Sequence, residues 1–192
     1  MYKNNISINE VLNITNEYYI SYYCKDNICI LSDYNYSNDH IYFPEKDGNM
    51  KEYIVDICTK ETLGYCITKC TKDIECFSNK CYKNYCIFNN ETNIVHCDDI
   101  YITPRLFRSR SSYMYCGKAY LDTCVNNDEC SSKQCKHNYC LMQKNGPNEN
   151  EGFSVAGELI IYIFIIVTII SFFALIYIIY RIYKKNNNAK DN

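Results

Sequence analysis

The chain has 192 residues, of which 14 are cysteine, three are histidine and none is tryptophan, with a formal charge of −2. That length allows one or two small domains, and the near-neutral balance gives no electrostatic basis for binding nucleic acid. The apolar content of 47% is unevenly spread, with twenty apolar residues in the 22-residue run Leu159–Tyr180, so the rest is too poor in aliphatic side chains for an ordinary core.

In chain order, residues 1–23 hold no apolar stretch of signal-peptide length. Residues 1–40 make an N-terminal segment that ends on a partial cysteine module, Cys24-Lys-Asp-Asn-Ile-Cys29-Ile. The same pattern, C-x2-N-[IY]-C-[IL], returns at Cys81–Ile87 and Cys135–Leu141, with Cys86 57 residues after Cys29 and Cys140 54 residues after Cys86. Between these points His40-Ile-Tyr-Phe-Pro44 parallels Asp99-Ile-Tyr-Ile-Thr-Pro104, and Cys58–Cys66 parallels Cys116–Cys124 as C-x-K-x2-L-x2-C. Cys70-x5-Cys76-x4-Cys81-x4-Cys86 then recurs as Cys124-x5-Cys130-x4-Cys135-x4-Cys140. This periodicity is the signature of tandem duplication and predicts a cysteine-rich module over 41–97 and a second over 98–143.

The fold class expected is therefore small and disulfide-rich: tandem cysteine-stapled modules of short β-hairpins and loops, plus one C-terminal transmembrane helix. The asparagine of each C-x2-N-x-C suits the left-handed tip of a tight turn, and the flanking Tyr and Ile favour short strands. All 14 cysteines precede the apolar run, and none forms the C-x2-C knuckle of structural zinc sites or thioredoxin-type redox motifs. Disulfides are the reading, with an interlocked pattern expected within each repeat: Cys70 with Cys81, Cys76 with Cys86, Cys124 with Cys135, Cys130 with Cys140. Spacing leaves Cys24, Cys29, Cys58, Cys66, Cys97 and Cys116 unassigned. Closed loops of ~10–15 residues contribute roughly 3 kcal/mol each through lost unfolded-state entropy, so three or four staples hold a module with almost no aliphatic core.

The run C-x2-D-x-E-C-x-S-x2-C-x4-C, present as Cys70–Cys86 and nearly repeated as Cys124–Cys140, resembles Dickkopf-N-terminal-like and other EGF-sized cysteine-rich modules of surface proteins in AT-rich eukaryotes. The resemblance covers about 17 residues twice and rests on cysteine spacing. It implies extracellular, non-catalytic modules; the signalling role of Dickkopf proteins is not carried over.

Four N-x-[ST] acceptors, Asn5, Asn13, Asn35 and Asn90, also lie before the apolar run. Arg105-Leu-Phe-Arg108-Ser-Arg110 gathers every arginine of residues 1–158 and forms an R-x2-R processing candidate at Arg105 and Arg108. His40, His96 and His137 show no recognisable partners. No nucleophile elbow, phosphate-binding glycine loop or calcium loop is present, so no catalytic residue, cofactor or metal is expected.

Residues 144–158 mix Gly, Pro, Asn and Glu without period and read as a flexible stalk. Leu159–Tyr180 (159–180) carries no charge and is about 33 Å long as a helix, enough to cross a bilayer. Tyr162, Tyr177, Tyr180 and Tyr183 sit towards its ends as interfacial anchors. The tail, 181–192, is basic with a net +3, against −5 for residues 1–158, which predicts a cytoplasmic tail and an outside N-terminus.

The expected function is extracellular binding or adhesion at the plasma membrane or a secretory-pathway membrane, with an external protein or glycan as partner. A structural coat or spacer is the alternative. Because Asn13 and Tyr19 stand 57 residues ahead of Cys70 and Cys76, the first repeat is partial. With the missing signal peptide, this leads us to expect a chain that starts upstream of Met1. A complete N-terminus would instead predict a cytosolic tail-anchored thiol or zinc protein.

Overall fold

The computed structural model describes residues 5–32, 39–45, 47–92, 94–143, 146–148 and 151–188. These residues fall into two units, one of residues 1–102 with 111–147, the other of residues 103–110 with 148–192.

In the first unit a short helix, α1 (Ile8–Leu12), is closed at its start by a capping box. The Glu10 N–H donates to the Ser7 hydroxyl, and the Ser7 N–H donates to the Glu10 carboxylate. Strands β1 (Ser21–Lys25) and β2 (Ile28–Ser32) form the first hairpin. A second hairpin is β3 (His40–Pro44) with β4 (Met50–Ile54), followed by β5 (Ile57–Cys58), β6 (Cys81–Tyr82) and β7 (Tyr85–Ile87). The longest strands, β8 (Ile94–Ile102) and β9 (Ser111–Gly117), precede a last small hairpin of β10 (Cys135–Lys136) and β11 (Tyr139–Cys140). The largest sheet is antiparallel with order β2-β1-β8-β9; β5-β7-β6 forms a second, in which β5 runs parallel to β7. Strand β8 passes without a break through residues 97 and 98, where the two repeats were expected to meet, because the N-terminal β1 pairs along it.

All three C-x2-N-x-C segments turn through two residues of positive φ: Asp26 and Asn27 (51° and 65°), Lys83 and Asn84 (48° and 66°), His137 and Asn138 (53° and 66°). This is the geometry of the two-residue hairpin whose twist matches that of its strands. Asparagine tolerates the left-handed backbone at the second position, as its spacing predicted. The segments around Cys70–Cys86 and Cys124–Cys140 also repeat each other bond for bond. Cys70 N–H donates to Asn84 O and Cys124 N–H to Asn138 O, both at 2.9 Å; Ile87 N–H donates to Lys80 O and Leu141 N–H to Gln134 O. The Asp73 and Asn127 side chains accept from the N–H groups of Cys81 and Cys135 at 2.7 and 2.8 Å.

Three packed clusters fill the first unit. The largest is aromatic and aliphatic, where a module with almost no aliphatic core was expected: Phe77, fully buried, is ringed by Phe43, Tyr53 and Tyr23 at centroid distances of 5.1, 5.7 and 5.8 Å. Ile41, Ile54, Ile57 and Ile87 complete it. The second cluster packs Val11, Ile20, Tyr22 and Met114 on the disulfides of the large sheet. In the third the buried residues are Cys124, Cys130 and Cys140 alone, with Cys135 packed against them, in keeping with a module that has almost no aliphatic core.

In the second unit α2 runs from Glu151 to Asn188. It starts inside the stretch read as a stalk, because a long apolar helix propagates cheaply into flanking residues once nucleated and acidic residues suit its first turn. Its section Ala156–Lys184 holds an 18-residue stretch with a mean hydropathy of 3.1 and is long and apolar enough to cross a membrane. The Thr168 and Ser171 hydroxyls donate back to Ile165 O and Val167 O at 2.7 and 2.8 Å, leaving neither unsatisfied for lipid.

Candidate functional site

Every cysteine is paired, in seven disulfides. Cys70–Cys81, Cys76–Cys86, Cys124–Cys135 and Cys130–Cys140 follow the interlocked pattern expected from the spacing. The six cysteines that spacing left open form Cys24–Cys29, Cys58–Cys66 and Cys97–Cys116. Cys24 and Cys29 close on each other across the hairpin, with Cα atoms 4.1 Å apart, since the upstream partners of their counterparts are Asn13 and Tyr19 here. Cys97 and Cys116 are likewise cross-strand neighbours, and the Cys24 and Cys97 sulfurs touch at 3.7 Å. Two cysteine triplets, Cys70, Cys76, Cys81 and Cys124, Cys130, Cys135, and the group Asp56, Cys58, Cys66 bring donor atoms within 4.8 Å of one another. Their sulfurs are bonded in disulfides and present no thiolate to a metal.

The first correction to the sequence reading concerns His96, which has partners. Its ring is buried, with Nδ1 3.3 Å from Asp98 Oδ2 and 3.2 Å from the Ser131 hydroxyl. Ser131 Oγ donates to Asp98 Oδ2 at 2.6 Å, and the His96 ring meets Tyr23 edge-on at 4.6 Å. Burial pushes the Asp98 carboxyl up, but the neighbouring His96 and the two hydrogen bonds outweigh it and hold the group below its usual range. Serine and aspartate share the same imidazole nitrogen, so no path leads from the hydroxyl through the ring to the carboxylate, as nucleophilic activation requires. The cluster ties the Cys124–Cys140 segment to β8. Ser131 stands where Phe77 stands in the Cys70–Cys86 segment, each N–H donating to a carbonyl, Lys118 O or Ile54 O. A polar contact thus stands in place of the aromatic centre around Phe77.

Beside this cluster lies a cleft of about 420 Å³, within the size range of small-ligand sites. Tyr23, Tyr65 and Tyr120 supply aromatic faces, Ile57, Ile67 and Leu121 aliphatic ones, and Asp39, Asp56 and Asp122 carboxylates. Tyr65 and Ile67 are 72% and 81% exposed. The carboxylates are fixed in place: Asp56 Oδ2 accepts the N–H groups of Ile67 and Thr68 at 2.7 and 2.8 Å, and Asp39 Oδ2 accepts the Thr68 hydroxyl at 2.6 Å. Burial raises the Asp122 carboxyl above its usual range, against the N–H of Thr123 and the charge of Lys118. Lys118, the lysine of the lining, is engaged by Glu129 at 2.6 Å and by Thr123 O. The Ser78 hydroxyl, on the wall, is buried and has no hydrogen-bond partner among the described residues. An unpaired buried hydroxyl of this kind is an open polar point. The cleft collects residues as far apart in the chain as Ser21 and Met142, and no single motif announces it. The one available sequence signal was the polar triplet His96, Asp98, Asp99 in a strand otherwise patterned for burial.

Of the modification candidates, Asn5, Asn13 and Asn90 are exposed and Asn90 stands on the cleft lining; Asn35 lies outside the described residues. Arg105 and Arg108 are exposed and face each other across a two-residue tip, each N–H donating to the other's carbonyl at 2.9 and 3.0 Å. No family model, curated protein or solved structure matches this chain.

Proposed function

We propose that this chain is a single-pass membrane-anchored surface glycoprotein whose cysteine-rich ectodomain binds an external protein or glycan without catalysis. One observation carries the reading: fourteen cysteines paired in seven disulfides, with one helix among the described residues long and apolar enough to cross a membrane. Disulfides persist on the exported side of a membrane. The basic tail against the acidic remainder supports a cytoplasmic tail, and the exposed acceptors Asn5, Asn13 and Asn90 suit glycosylation. The matching hydrogen bonds around Cys70–Cys86 and Cys124–Cys140 support tandem modules with a partial third before them. The Dickkopf-like and EGF-sized spacing agrees with an extracellular role.

Within the ectodomain the cleft is the binding site, and its fixed carboxylates beside tyrosine rings fit a polyhydroxylated ligand. Tyrosine gives amphipathic contact area at low entropic cost. The test is binding of the full-length protein to an array of neutral oligosaccharides. Saturable binding that falls at least about tenfold in Tyr65→Ala and Tyr120→Ala, as loss of a contact aromatic predicts, supports the reading. Absence of saturable binding to glycans or to intact cells overturns it and leaves a coat or spacer.

A further inference from the structure

The arginine-rich loop between β8 and β9 is absorbed by none of this. Residues 103–110 group with α2 and not with the disulfide-held unit. The loop closes as a tight hairpin, Arg105 and Arg108 exchanging both backbone bonds around the tip Leu106–Phe107, while Arg108 Nη2 donates to Thr103 O at 3.2 Å. The Leu106 N–H donates to Glu158 Oε2 at 3.2 Å. Glu158 is the residue immediately before the uncharged run Leu159–Tyr180, so this bond sets the tip at the level where the apolar helix begins. There Phe107 is 93% exposed, flanked by exposed Arg105, Arg108 and Arg110, the three arginines of a region whose net charge is −5.

We infer that this tip is a second membrane contact, a wedge in which Phe107 enters the headgroup–acyl boundary and the arginines bind lipid phosphates. Aromatic side chains favour that boundary, and guanidinium groups engage phosphate oxygens through paired hydrogen bonds. A chain with one span and one such wedge meets the bilayer at two points. The alternative for the arginines, processing at R-x2-R, needs an extended substrate strand, whereas Arg105 and Arg108 are here bonded to each other. The inference rests on α2 spanning a membrane, and the test separates the two.

The chain has no tryptophan, so single substitutions report cleanly. Full-length Phe107→Trp, Phe172→Trp and Val125→Trp would be reconstituted in vesicles of phosphatidylcholine and phosphatidylglycerol carrying lipids brominated at shallow or deep acyl positions. The expected result is at least about twofold quenching of Phe107→Trp by shallow bromines, of Phe172→Trp by deep ones, and none of Val125→Trp. Glutamine at Arg105, Arg108 and Arg110 together should remove most of the Phe107→Trp quenching. Quenched Phe172→Trp with solvent-like, unquenched Phe107→Trp overturns the wedge and leaves the span. Unquenched Phe172→Trp overturns the span itself and the wedge with it. Quenching at position 107 that survives the triple glutamine change overturns the arginines' part.

Discussion

The segments Cys70–Cys86 and Cys124–Cys140 make a controlled comparison, because disulfides of matching spacing join an aromatic and aliphatic cluster in one and a cluster of cysteines in the other. Cys76–Cys86 and Cys130–Cys140 both have a sequence separation of 10, so replacing either pair by serine restores the same unfolded-state freedom, about 3 kcal/mol. Around Cys76 the burial of Phe77 against Phe43, Tyr53 and Tyr23 remains, and one fully buried phenylalanine contributes roughly 1.5–3 kcal/mol before its neighbours are counted. Around Cys130 the packed apolar residues are the cysteines themselves, so nothing of that kind remains. Hydrogen exchange reads the outcome at equivalent amides, Phe77 N–H on Ile54 O and Ser131 N–H on Lys118 O. In Cys130→Ser/Cys140→Ser the segment Lys118–Leu141 should exchange near the unprotected rate; in Cys76→Ser/Cys86→Ser the Phe77 amide should stay protected. Equal loss in both variants, or retained protection at Ser131, would refute the claim that the Cys124–Cys140 segment has no apolar core beyond its cysteines.

Three further outcomes follow from buried groups. Phe77→Ala should cost about 3–5 kcal/mol in denaturant unfolding, the range for deleting a buried aromatic ring; a cost below about 1 kcal/mol would mean the cluster is not a core. Ser131→Ala removes the hydroxyl that donates to Asp98 at 2.6 Å and should cost about 1–3 kcal/mol, with the Asp98 carboxyl moving up, readable by NMR titration. An unchanged melting temperature would contradict it. For Asp99, burial raises the carboxyl to about 6 from 3.8, against N–H groups of Tyr19 and Ile20 that lower it. The folded state therefore binds that proton more tightly than the unfolded chain, and this group's contribution falls as pH rises from about 4 to about 6. Asp98, held low, acts in the opposite sense, so the variant is compared with the wild type at each pH. Asp99→Asn should gain on the wild type by about 1–2 kcal/mol across that window, after allowance for solvent screening, and stay level above it. A difference independent of pH would refute the shift.

What the sequence disclosed, and what it withheld, divides along local and long-range lines. The hairpin tips at Asn27, Asn84 and Asn138 were legible because a tight turn needs only its own residues to be left-handed. The interlocked pairs were legible because loop lengths repeat. Cys97–Cys116 was not, since it depends on β8 pairing with β9 across an eight-residue loop (103–110) whose hairpin character the repeat alone did not show. The aromatic core around Phe77 was missed because its rings come from β1, β3, β4 and a turn. Of His96's partners, Ser131 lies 35 residues away, and Asp98, two residues on, is a neighbour only because both lie on one face of β8. The cleft, assembled from residues as far apart in the chain as Ser21 and Met142, had no local signature to read.

The central claim is an oxidised ectodomain on the outside of a membrane, and the most direct measurement is the count of free thiols in protein from its native membrane. Alkylation at lysis followed by intact mass would report how many of the 14 cysteines are free. The account predicts none or one. About ten or more would place the cysteines in a reducing cytosol and contradict both the topology and the binding function proposed.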